Sequence, residues 1–598
     1  MNEAELRQGG LARRLETTSY LLVDRIETLR AACLDLSRSS LIGLDTETTS
    51  LDPYRGGVRL LQLSSAETNY VVDLFKLPDA FEDPALRDLL ESPDSVKVAH
   101  NAKFDLKMLL HHFGVEVRPI FDTLLASKLI AAGRGDLSHG LAAVSGEHLG
   151  EVVDKSLQNS SWSGPLTDEQ LEYAAHDSAL MLPLYQKLSA KLEELKMTGV
   201  GHLEFECVLP LAAMELAGMY LDQDCWRHLA RDVEYAHEKL SDELRHALAE
   251  GVEQLSLFGD PEINLDSPSQ IVDALFRMGI KVEGTRNWQL QPLAKMHPVI
   301  HKLLEYRTVQ KALSSYGATM LEHVNPVTGR LHAHFHQIAA PGGRMACSEP
   351  NLQQIPNSPE YRACFRAPAG RKLVVADYSQ IELRILADWS QDTALVKALE
   401  SGEDLHAVTA SQMLGVKLDE VSKDQRAAAK QLNYGLIYGL GPHGLANRLE
   451  CSLDEAESLI RRYFHTYSGV AEWLAEAARR AVRDREARTR SGRLIRFDFD
   501  PADRAQVAGT ERFGKNSPIQ GSCADILKRA LARLYDALKP FDSALVNCIH
   551  DEVVVEVAEF QAEDCLHVVE KEMVAAAHEF IRSVPVTADA IVSDAWLK

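Results

Sequence analysis

Two apolar stretches in the second half of the sequence predict buried strands that end in carboxylates. KLVVADYS contains Asp377 at its end, and ALVNCIHDEVVVEV predicts two strands that meet at a tight turn holding Asp551 and Glu552. A buried carboxylate without a partner costs several kcal/mol. We therefore expect these strand ends to lie side by side and to share cations, which constrains the fold more than any other feature of the chain.

Between these strands, DQRAAAKQLNYGLIYG predicts a helix with four long side chains at four-residue spacing. Arg426, Lys430, Tyr434 and Tyr438 would form one stripe along that helix. The cations can hold phosphate oxygens and the rings can stack on a base, which is the chemistry of a nucleoside triphosphate site. The alternative is a solvated basic turn beside a core aromatic pair.

A second group of acids lies in the first third of the chain. LIGLDTETT places Asp45 and Glu47 on the same face of a strand, and AHNAKFD supplies Asp105. LTDEQLEYAAHDSALMLPLYQKL predicts a helix with Tyr173 and Asp177 on one face. Clustered carboxylates need cations, and hard oxygen ligands suit Mg²⁺ or Mn²⁺. Two such ions can activate a water and stabilise the leaving oxygen in phosphodiester hydrolysis.

Length and composition indicate a soluble protein of several domains. A chain of 598 residues is too long for one hydrophobic core, and 45% hydrophobic with 25% charged residues is ordinary. No apolar run approaches the roughly 18 residues of a membrane span, and MNEAELRQGG lacks the features of a secretory signal. The nine cysteines contain no C-x-x-C pair, so we expect neither a zinc site nor a disulfide framework. This cysteine usage predicts a reducing compartment.

The charge balance leaves the partner open. A net charge of −23 argues by itself against a nucleic-acid partner, but it is an average over the whole surface. In RDREARTRSGRLIR, from Arg483 to Arg496, six arginines face two acids. This stretch predicts either a solvated charged helix or a local basic surface.

In their order along the chain, the acids of the first third resemble the D-x-E, D and Y-x-x-x-D signature of the 3′→5′ exonuclease superfamily, which proofreading domains share with ribonuclease D. The resemblance implies that Tyr173 orients the attacking water and that Leu51 and Phe104 pack against the terminal bases. It implies four metal ligands: Asp45, Glu47, Asp105 and Asp177. The segments KSLQNSSW and HGLAAV are more similar to ribonuclease D than to the large fragment of the enterobacterial polymerase. Whether the site prefers a DNA or an RNA strand therefore stays open.

Three segments of the second half resemble motifs A, B and C of family A DNA polymerases of the bacterial DNA polymerase I large-fragment type. They are D-Y-S-Q-I-E-L-R at 377–384, R-x-x-x-K-x-x-x-Y-G-x-x-Y-G at 426–439 and H-D-E at 550–552. GGRMACSEPNLQQIP, DLHAVTA and ERFGKNSPIQGSCADILKRA follow in the family's order. The resemblance therefore covers most of the chain.

The polymerase resemblance also implies residue roles. Asp377 and Asp551 would bind the metal ions with support from Glu552, and Lys430 would donate a proton to the departing pyrophosphate while gripping the phosphates with Arg426. Further substrate-binding residues would be Gln380, Glu382, His406, Tyr434 and Tyr438. Glu382 would exclude a ribose 2′ hydroxyl by packing with Tyr438. The DNA-binding residues would be Arg344, Gln353, Arg512, Asn516, Gln520 and His550.

Two positions distinguish this chain within the family pattern. Family members have Phe or Tyr at Tyr434, and the Tyr form is similar to replicative phage enzymes that accept dideoxynucleotides, so we expect the same here. The family's T-G-R-L-S-S stands as Gly-Gly-Arg-Met-Ala-Cys at 342–347. The lost hydroxyls put contacts to the template backbone in doubt, though not those of Arg344.

The resemblance implies a multidomain α/β fold, with a ribonuclease H-like exonuclease domain followed by a right-hand polymerase of helical thumb, antiparallel palm sheet and helical fingers. The expected domains are exonuclease 1–195, thumb 196–330, palm 331–390, fingers 391–515 and second palm part 516–598. The expected reaction is template-directed addition of dNTPs to a primer 3′ end, with 3′→5′ proofreading. Because the exonuclease motif begins so early, we expect no 5′ nuclease.

The implied cofactors are two Mg²⁺ at the polymerase site and two at the exonuclease site, with Mn²⁺ able to substitute. The implied partners are primer–template DNA and dNTPs, without a membrane, and the chain is expected to be a monomer. A clamp or helicase partner stays open. We expect a cytoplasmic location in a bacterium or phage-infected cell, or an organelle if a transit peptide was removed.

Two other functions would fit parts of the sequence. One is a ribonuclease D-like exonuclease with an accessory C-terminal half, and the other is a non-catalytic DNA-binding subunit descended from a polymerase. Both predict damaged polymerase motifs, and the motifs are intact. His332, His334 and His336 alternate along a predicted strand and could share a face, but a surface cluster is favoured there over a metal site.

Overall fold

The computed structural model describes residues 18–135, 137–153, 156–157, 160–249 and 263–597. Residues 1–17 and Lys598, which the predicted first and last domains include, lie outside this range, as does part of KSLQNSSW. Contacts divide the chain into two units. The first unit comprises residues up to 217, 334–348 and 374–592, and the second comprises 218–333, 349–373 and the residues from 593 on. The five-domain division is finer and stays a prediction.

The chain up to residue 217 alternates strands and helices. Its elements are β1 (Leu21–Val23), α1 (Ile26–Leu36), β2 (Leu41–Thr48), β3 (Val58–Ser64), β4 (Asn69–Asp73), α2 (Pro84–Glu91), β5 (Val96–Ala99), α3 (Lys103–Phe113), β6 (Ile120–Asp122), α4 (Thr123–Ala131), α5 (Leu141–Leu149), α6 (Asp168–Glu194), α7 (Thr198–Glu206) and α8 (Val208–Ala217). The strands form one sheet in the order β1-β4-β3-β2-β5-β6. β3 pairs antiparallel with β2 and β4, and the remaining pairs are parallel.

Helix α6 lies close against β2 and β3. A Cβ atom on Gly43 would overlap the Ser178 carbonyl, and the Ser64 and Ser178 hydroxyls are 2.7 Å apart. Thr167 and Gln170 form the capping box that the T-x-x-Q pattern predicts at the start of this helix. The face of α6 that contains Asp177 is therefore laid over the strand that contains Asp45.

The second unit is mainly helical. Its elements are β7 (Met219–Tyr220), α9 (Gln223–Ala249), α10 (Pro268–Arg277), α11 (Asn287–Leu290), α12 (Pro298–Tyr316), β8 (Arg330–Leu331) and α13 (Pro359–Arg362). α9 and α12 pack together around an apolar core that includes Leu244, Ile300 and Leu303. Cys225 and Cys364 are paired as a disulfide, so the expectation of no disulfide is wrong for this pair.

The rest of the first unit contains a second sheet surrounded by helices. Its elements are β9 (His334–His336), β10 (Ala346–Ser348), β11 (Arg371–Tyr378, whose first three residues belong to the second unit), α14 (Ile381–Ser390), α15 (Thr393–Glu400), α16 (Leu405–Leu414), α17 (Lys423–Ile437), α18 (Pro442–Leu449), α19 (Leu453–Thr466), α20 (Ser468–Asp484), β12 (Glu486–Arg488), β13 (Leu494–Arg496), α21 (Arg504–Ala537), β14 (Ser543–Ile549), β15 (Glu552–Ala558), α22 (Ala562–His578) and β16 (Ala588–Ser593). The sheet order is β14-β15-β11-β16. This order brings β11 beside β15.

The arginine-rich stretch 483–496 does not form one helix. α20 ends at Asp484, and the rest forms the antiparallel hairpin of β12 and β13. Arg493 is 1% exposed, and Arg490 pairs with the buried Asp388. The interpretation as one solvated helix is therefore wrong, and a local basic surface stays a prediction for the exposed arginines, which are Arg483, Arg485, Arg490 and Arg496. In the described residues, no helix is both long and apolar enough to cross a bilayer.

Candidate nuclease and nucleotidyl-transfer sites

The structure brings the four acids of the exonuclease motif together. Asp45 and Glu47 lie on β2, Asp105 lies in the first turn of α3, and Asp177 lies on α6. The Thr46 hydroxyl donates a 2.5 Å hydrogen bond to Asp105 Oδ1, which ties α3 to β2. The periods of a strand and a helix predicted that Asp45 and Glu47 share a face of β2 and that Tyr173 and Asp177 share a face of α6. The packing of α3 and α6 on the sheet brings these two pairs and Asp105 into one site.

The electrostatics of this cluster are those of an uncompensated acid group. Burial, followed by the charges of neighbouring acids, raises the pKa of Asp45 well above its usual value. The same causes raise the pKa of Glu47 to about 9, and burial raises that of Asp105 to about 7. Burial also raises the pKa of Asp177 to about 6, partly offset by a hydrogen bond from the Tyr173 hydroxyl.

The donor set fits a divalent cation. Asp177 Oδ1 is buried and has no hydrogen-bond partner among the described residues. A cation would satisfy this oxygen and neutralise the acids around it, and carboxylate oxygens are the ligands that Mg²⁺ and Mn²⁺ prefer. Within the described residues, no three His, Cys, Asp or Glu side chains already stand in an arrangement that could hold a metal ion. Ion binding would therefore have to draw the carboxylates closer together.

Gln62 is a residue of this site that the sequence analysis missed. It lies directly opposite Asp45 in the β2–β3 register and is fully buried. Neither its amide nitrogen nor its amide oxygen has a hydrogen-bond partner in the described part of the chain. The only signal in the sequence was a glutamine inside the apolar strand VRLLQLS. Of the two predicted base-packing residues, Leu51 is 80% exposed and Phe104 is half-buried against the core.

The second cluster lies where β11 meets the turn between β14 and β15. The Tyr378 backbone N–H donates a 3.3 Å hydrogen bond to the Asp551 carbonyl, so the strand end that contains Asp377 adjoins the one that contains Asp551. His550 has φ of +54°, the left-handed conformation that makes this turn tight. Glu552 begins β15 and is 8% exposed. The predicted juxtaposition of the two strand ends is present.

Charged and phenolic groups surround Asp551. Burial, then the charges of Glu382 and Glu552, raises its pKa to about 6. Glu382 lies on α14 and accepts a hydrogen bond from the Tyr438 hydroxyl. Burial raises the pKa of Glu382, while that hydrogen bond and the charge of Arg344 oppose the rise. The contact between Glu382 and Tyr438 is the packing that the family resemblance implies.

The stripe of α17 faces outward rather than into the core. Ser422 and Gln425 cap the helix, Arg426 and Lys430 are exposed, and Tyr438, just beyond the helix end, is 40% exposed. This exposure argues against the interpretation as a core aromatic pair. Arg426 is engaged by Asp404, whose Oδ2 lies 2.6 Å from its Nη2.

Tyr434, the third residue of this stripe, is half-buried and lies against His406 of α16. Burial, then the charges of Glu382 and Asp551, raises the pKa of Tyr434 to about 12, which places its phenol next to both acids. Its ring centroid lies 5.7 Å from that of His406. The His406 ring nitrogen Nδ1 is 2.9 Å from the Asn433 amide nitrogen, and burial lowers the pKa of this histidine to about 4. His406 is therefore neutral at pH 7.

Three of the predicted DNA contacts lie on α21, whereas the predicted substrate-binding residue Gln380 and the predicted DNA contact Gln353 lie on other elements. Arg512, Asn516 and Gln520 repeat every four residues and share one face of the helix. Gln380 caps α14 in the left-handed conformation, with φ of +55°. Gln353 belongs to the second unit, in the turn Leu352–Gln354.

Cys523 is a second residue that the sequence analysis missed. Burial, then the charges of Asp551 and Glu382, raises the pKa of its thiol well above the usual value. The thiol therefore lies beside the carboxylates of this cluster. Its position three residues after Gln520 on the same helix was the available signal.

The three histidines that the sequence predicts on one strand do not share a strand. β8 ends at Leu331 and β9 begins at His334, so the strand breaks at His332, which lies in the second unit. The rings of His334 and His336 contact each other with centroids 4.6 Å apart, and His336 pairs with the Ser348 hydroxyl. His334 Nδ1 also lies 3.4 Å from Oε1 of the buried Glu215, so the interpretation as a surface cluster stays a prediction.

The fold and the two clusters define an enzyme with two separate acid sites suited to phosphodiester chemistry, one built from a strand and two helices and the other at strand ends. Comparison with known families agrees. The model described as DNA polymerase family A matches residues 234–598, and the model described as 3′-5′ exonuclease matches residues 20–193. The chain belongs to DNA polymerase family A and has a 3′→5′ exonuclease domain, as its motifs predicted.

Individual relatives support this assignment. The chain is 33% identical over 607 residues to DNA polymerase I of Aquifex aeolicus, covering 96% of this chain and 98% of that protein. It is 31% identical to DNA polymerase I of Rhizobium leguminosarum over 97% of its own length, and it spans 61% of the length of that relative.

A solved structure confirms the predicted fold class. The structure described as the POL domain of Pol1 from M. smegmatis in complex with DNA primer-template and dNTP is similar with a TM-score of 0.83 and 27% identity. The match covers 96% of this chain and 99% of that one.

Proposed function

We propose that this chain adds deoxynucleotides to a primer 3′ end on a DNA template and removes mispaired 3′ ends at its second acid site. The observation that supports this most is the meeting of the Asp377 and Asp551 strand ends beside an outward-facing stripe of cations and phenols on α17. The acids would act on the reacting phosphate, and the cations of this stripe would hold the triphosphate.

At the polymerase site, each group has a defined task. The primer 3′ oxygen attacks the α-phosphorus, and the bond from that phosphorus to the pyrophosphate oxygen breaks. Lys430 is exposed on α17, where it can hold the triphosphate and pass a proton to the departing pyrophosphate. Glu382, held by the Tyr438 hydroxyl, would occupy the space of a ribose 2′ hydroxyl.

Asp377 and Asp551 would hold divalent ions at the polymerase site, with Glu552 close by, and the four buried acids would hold them at the exonuclease site. Two ions at each site, Mg²⁺ or its substitute Mn²⁺, would lower the pKa of the attacking hydroxyl or water and neutralise the leaving oxygen. At the exonuclease site Tyr173 lies one helical turn before Asp177 on α6 and lowers the pKa of that acid, and from there it would orient the attacking water.

The test is extension of a labelled primer on a DNA template with Mg²⁺, comparing wild type with Asp551→Ala and Asp45→Ala. We expect wild type to extend, Asp551→Ala only to degrade, and Asp45→Ala to extend without degrading. A wild type that degrades but never extends would show that the second cluster is not a working polymerase site. The ribonuclease D-like interpretation would then be favoured.

The preferred strand of the nuclease and the expected lack of a 5′ nuclease stay predictions. Single-stranded DNA and RNA of the same sequence, each labelled at the 5′ end, measure the first. We expect DNA to be degraded faster. A 5′-flap substrate measures the second, and release of the flap by the Asp45→Ala variant would contradict that expectation.

A further inference from the structure

A buried group of four charges lies between α7, the β12–β13 hairpin and α21. Its members are Glu204, Arg493, Asp525 and Lys528, none of them more than 1% exposed. Arg493 donates hydrogen bonds to Asp525 Oδ1 from Nε at 3.0 Å and from Nη2 at 2.6 Å, and it also pairs with Glu204. Lys528 Nζ lies 2.6 Å from Glu204 Oε1. We refer to these four residues as the buried tetrad.

Burying the four charges of the tetrad costs desolvation free energy, and each of them pairs with a charge of opposite sign. Two acids and two bases cancel in formal charge, and Thr489 and Ser491 donate further hydrogen bonds to Asp525. Apolar side chains of similar volume often stabilise a fold as well as a buried ion pair does. A network of this kind therefore contributes geometry more than stability.

The tetrad grips one loop of the molecule, the segment Gln337–Met345 between β9 and β10. Gln337 Nε2 donates to Glu204 Oε2 at 2.6 Å at the start of this loop. Near its end, Lys528 Nζ donates to the Gly343 carbonyl at 2.7 Å. Both hydrogen bonds are made by members of the tetrad, so the loop is held at two points, the Gln337 side chain and the Gly343 backbone carbonyl.

Gly343 is held by shape as well. Its φ of +83° is in the left-handed region that disfavours other residues, and a Cβ atom there would overlap the Arg493 guanidinium. The next residue, Arg344, is exposed. Its charge opposes the rise in the pKa of both Glu382 and the Cys523 thiol, so the backbone at Gly343 decides where this charge stands relative to the polymerase cluster.

We propose that the buried tetrad is the positioning device for Arg344, fixing the Gly343 backbone so that the exposed guanidinium points at the primer end. The proposal rests on the polymerase function proposed above. It assigns no contact with substrate to the tetrad, whose members act through Arg344. It also explains why this segment works without the hydroxyls of the family pattern, since its position comes from buried charges behind it.

The test is a double-mutant cycle on single-nucleotide primer extension, with Lys528→Met, Arg344→Ala and the double variant. A displacement of about 1 Å can cost roughly 10²-fold in rate, so we expect Lys528→Met to lower kcat by about 10- to 100-fold with little change in the KM for dNTP. If Lys528 acts through Arg344, adding Lys528→Met to Arg344→Ala costs less than about twofold more. A purely structural role predicts that the two losses multiply.

Controls separate folding from positioning. Arg529→Met removes the next cation on α21, which pairs outside the tetrad with Glu206 and Glu579, and should change extension less than about twofold. Degradation of single-stranded DNA at the exonuclease acids and the melting temperature report on folding in every variant.

Gly343→Ala is the second variant, and it keeps all four charges while displacing the loop. It should show the same non-additivity with Arg344→Ala, and it decides the question if Lys528→Met does not fold. Multiplying losses in a folded variant, or extension at the wild-type rate, would overturn the inference alone. A wild type that never extends would overturn the proposed function and this inference with it.

Discussion

The two acid sites lie in one unit of the chain and differ in what surrounds their carboxylates. At the exonuclease cluster, burial raises the pKa values of all four acids, repulsion from the other acids adds to the rise at Asp45 and Glu47, and hydrogen bonds from Thr46 and Tyr173 oppose it at Asp105 and Asp177. At the polymerase cluster, burial and two neighbouring acids raise the pKa of Asp551 to about 6, and at the adjacent Glu382 a hydrogen bond from Tyr438 and the charge of Arg344 oppose the rise in pKa.

The difference fits the two proposed tasks. A nuclease needs a compact, strongly negative pocket that takes up cations and then water. A polymerase must also accept a triphosphate, which brings its own negative charge, so cations and aromatic rings belong next to the acids. The comparison implies that the sites are chemically independent although they share a unit.

The largest expected effect tests that independence. Asp551→Asn should lower primer extension by about 10³-fold or more, because losing a group that stabilises developing charge costs roughly 10²–10³. Degradation of single-stranded DNA should stay within about twofold of wild type. Asp177→Asn should give the reverse pattern, and loss of both activities in either folded variant would contradict the independence of the sites.

Tyr434 tests the selectivity of the polymerase side. Its phenol lies beside Glu382 and Asp551, where it can replace part of the role of a missing 3′ hydroxyl. A hydrogen bond is worth about 1 kcal/mol, so Tyr434→Phe should reduce dideoxynucleotide use relative to dNTP by about five- to tenfold. Sequencing-type termination ladders measure the ratio, and equal ratios for wild type and variant would remove this role of the hydroxyl.

A substitution at Glu47 tests whether the excess negative charge of the exonuclease cluster lowers the stability of the protein. Its folded pKa of about 9 lies above the ordinary 4.5, so the stability that it contributes when protonated is lost as pH rises between those values. In metal-free buffer at pH 8, Glu47→Gln should raise the unfolding free energy by about 1 kcal/mol, or Tm by roughly 1 °C. At pH 5 the gain should be smaller.

Mg²⁺ should remove the benefit of Glu47→Gln, because the ion neutralises the same charge. Glu67→Gln, at an exposed acid in the turn after β3, is the matched control and should change Tm little at either pH. A variant that gains as much at pH 5 as at pH 8 would show that electrostatic repulsion is not the cause.

The smallest expected effect concerns Arg426. In this structure it pairs with Asp404 at an exposed site, and such pairs contribute roughly 0.2–1 kcal/mol. Because the triphosphate must compete for the same guanidinium, Asp404→Asn should lower the KM for dNTP by about two- to threefold with kcat nearly unchanged. Asp419→Asn, an exposed acid outside the pair, is the control, and an unchanged KM in Asp404→Asn would exclude competition.

Much of both sites could be predicted because their residues sit on regular elements. The spacing of Asp45 and Glu47, of Tyr173 and Asp177, and of the α17 stripe follows from the periods of a strand and a helix, which depend only on neighbours in the chain. The strand ends at Asp377 and Asp551 were expected to meet because isolated buried acids are unfavourable. The family motifs then assigned a chemistry to each pattern.

The tertiary structure decided which charges are buried and with whom they pair. Arg493 and Glu204 are 289 residues apart, and nothing in RDREARTRSGRLIR distinguishes the one arginine that turns inward. Gln62, Cys523 and Asp404 were missed for the same reason. Periodicity is a property of a few neighbouring residues, whereas the pairing of buried charges is settled by the whole packed chain, because each desolvated group must find its partner there.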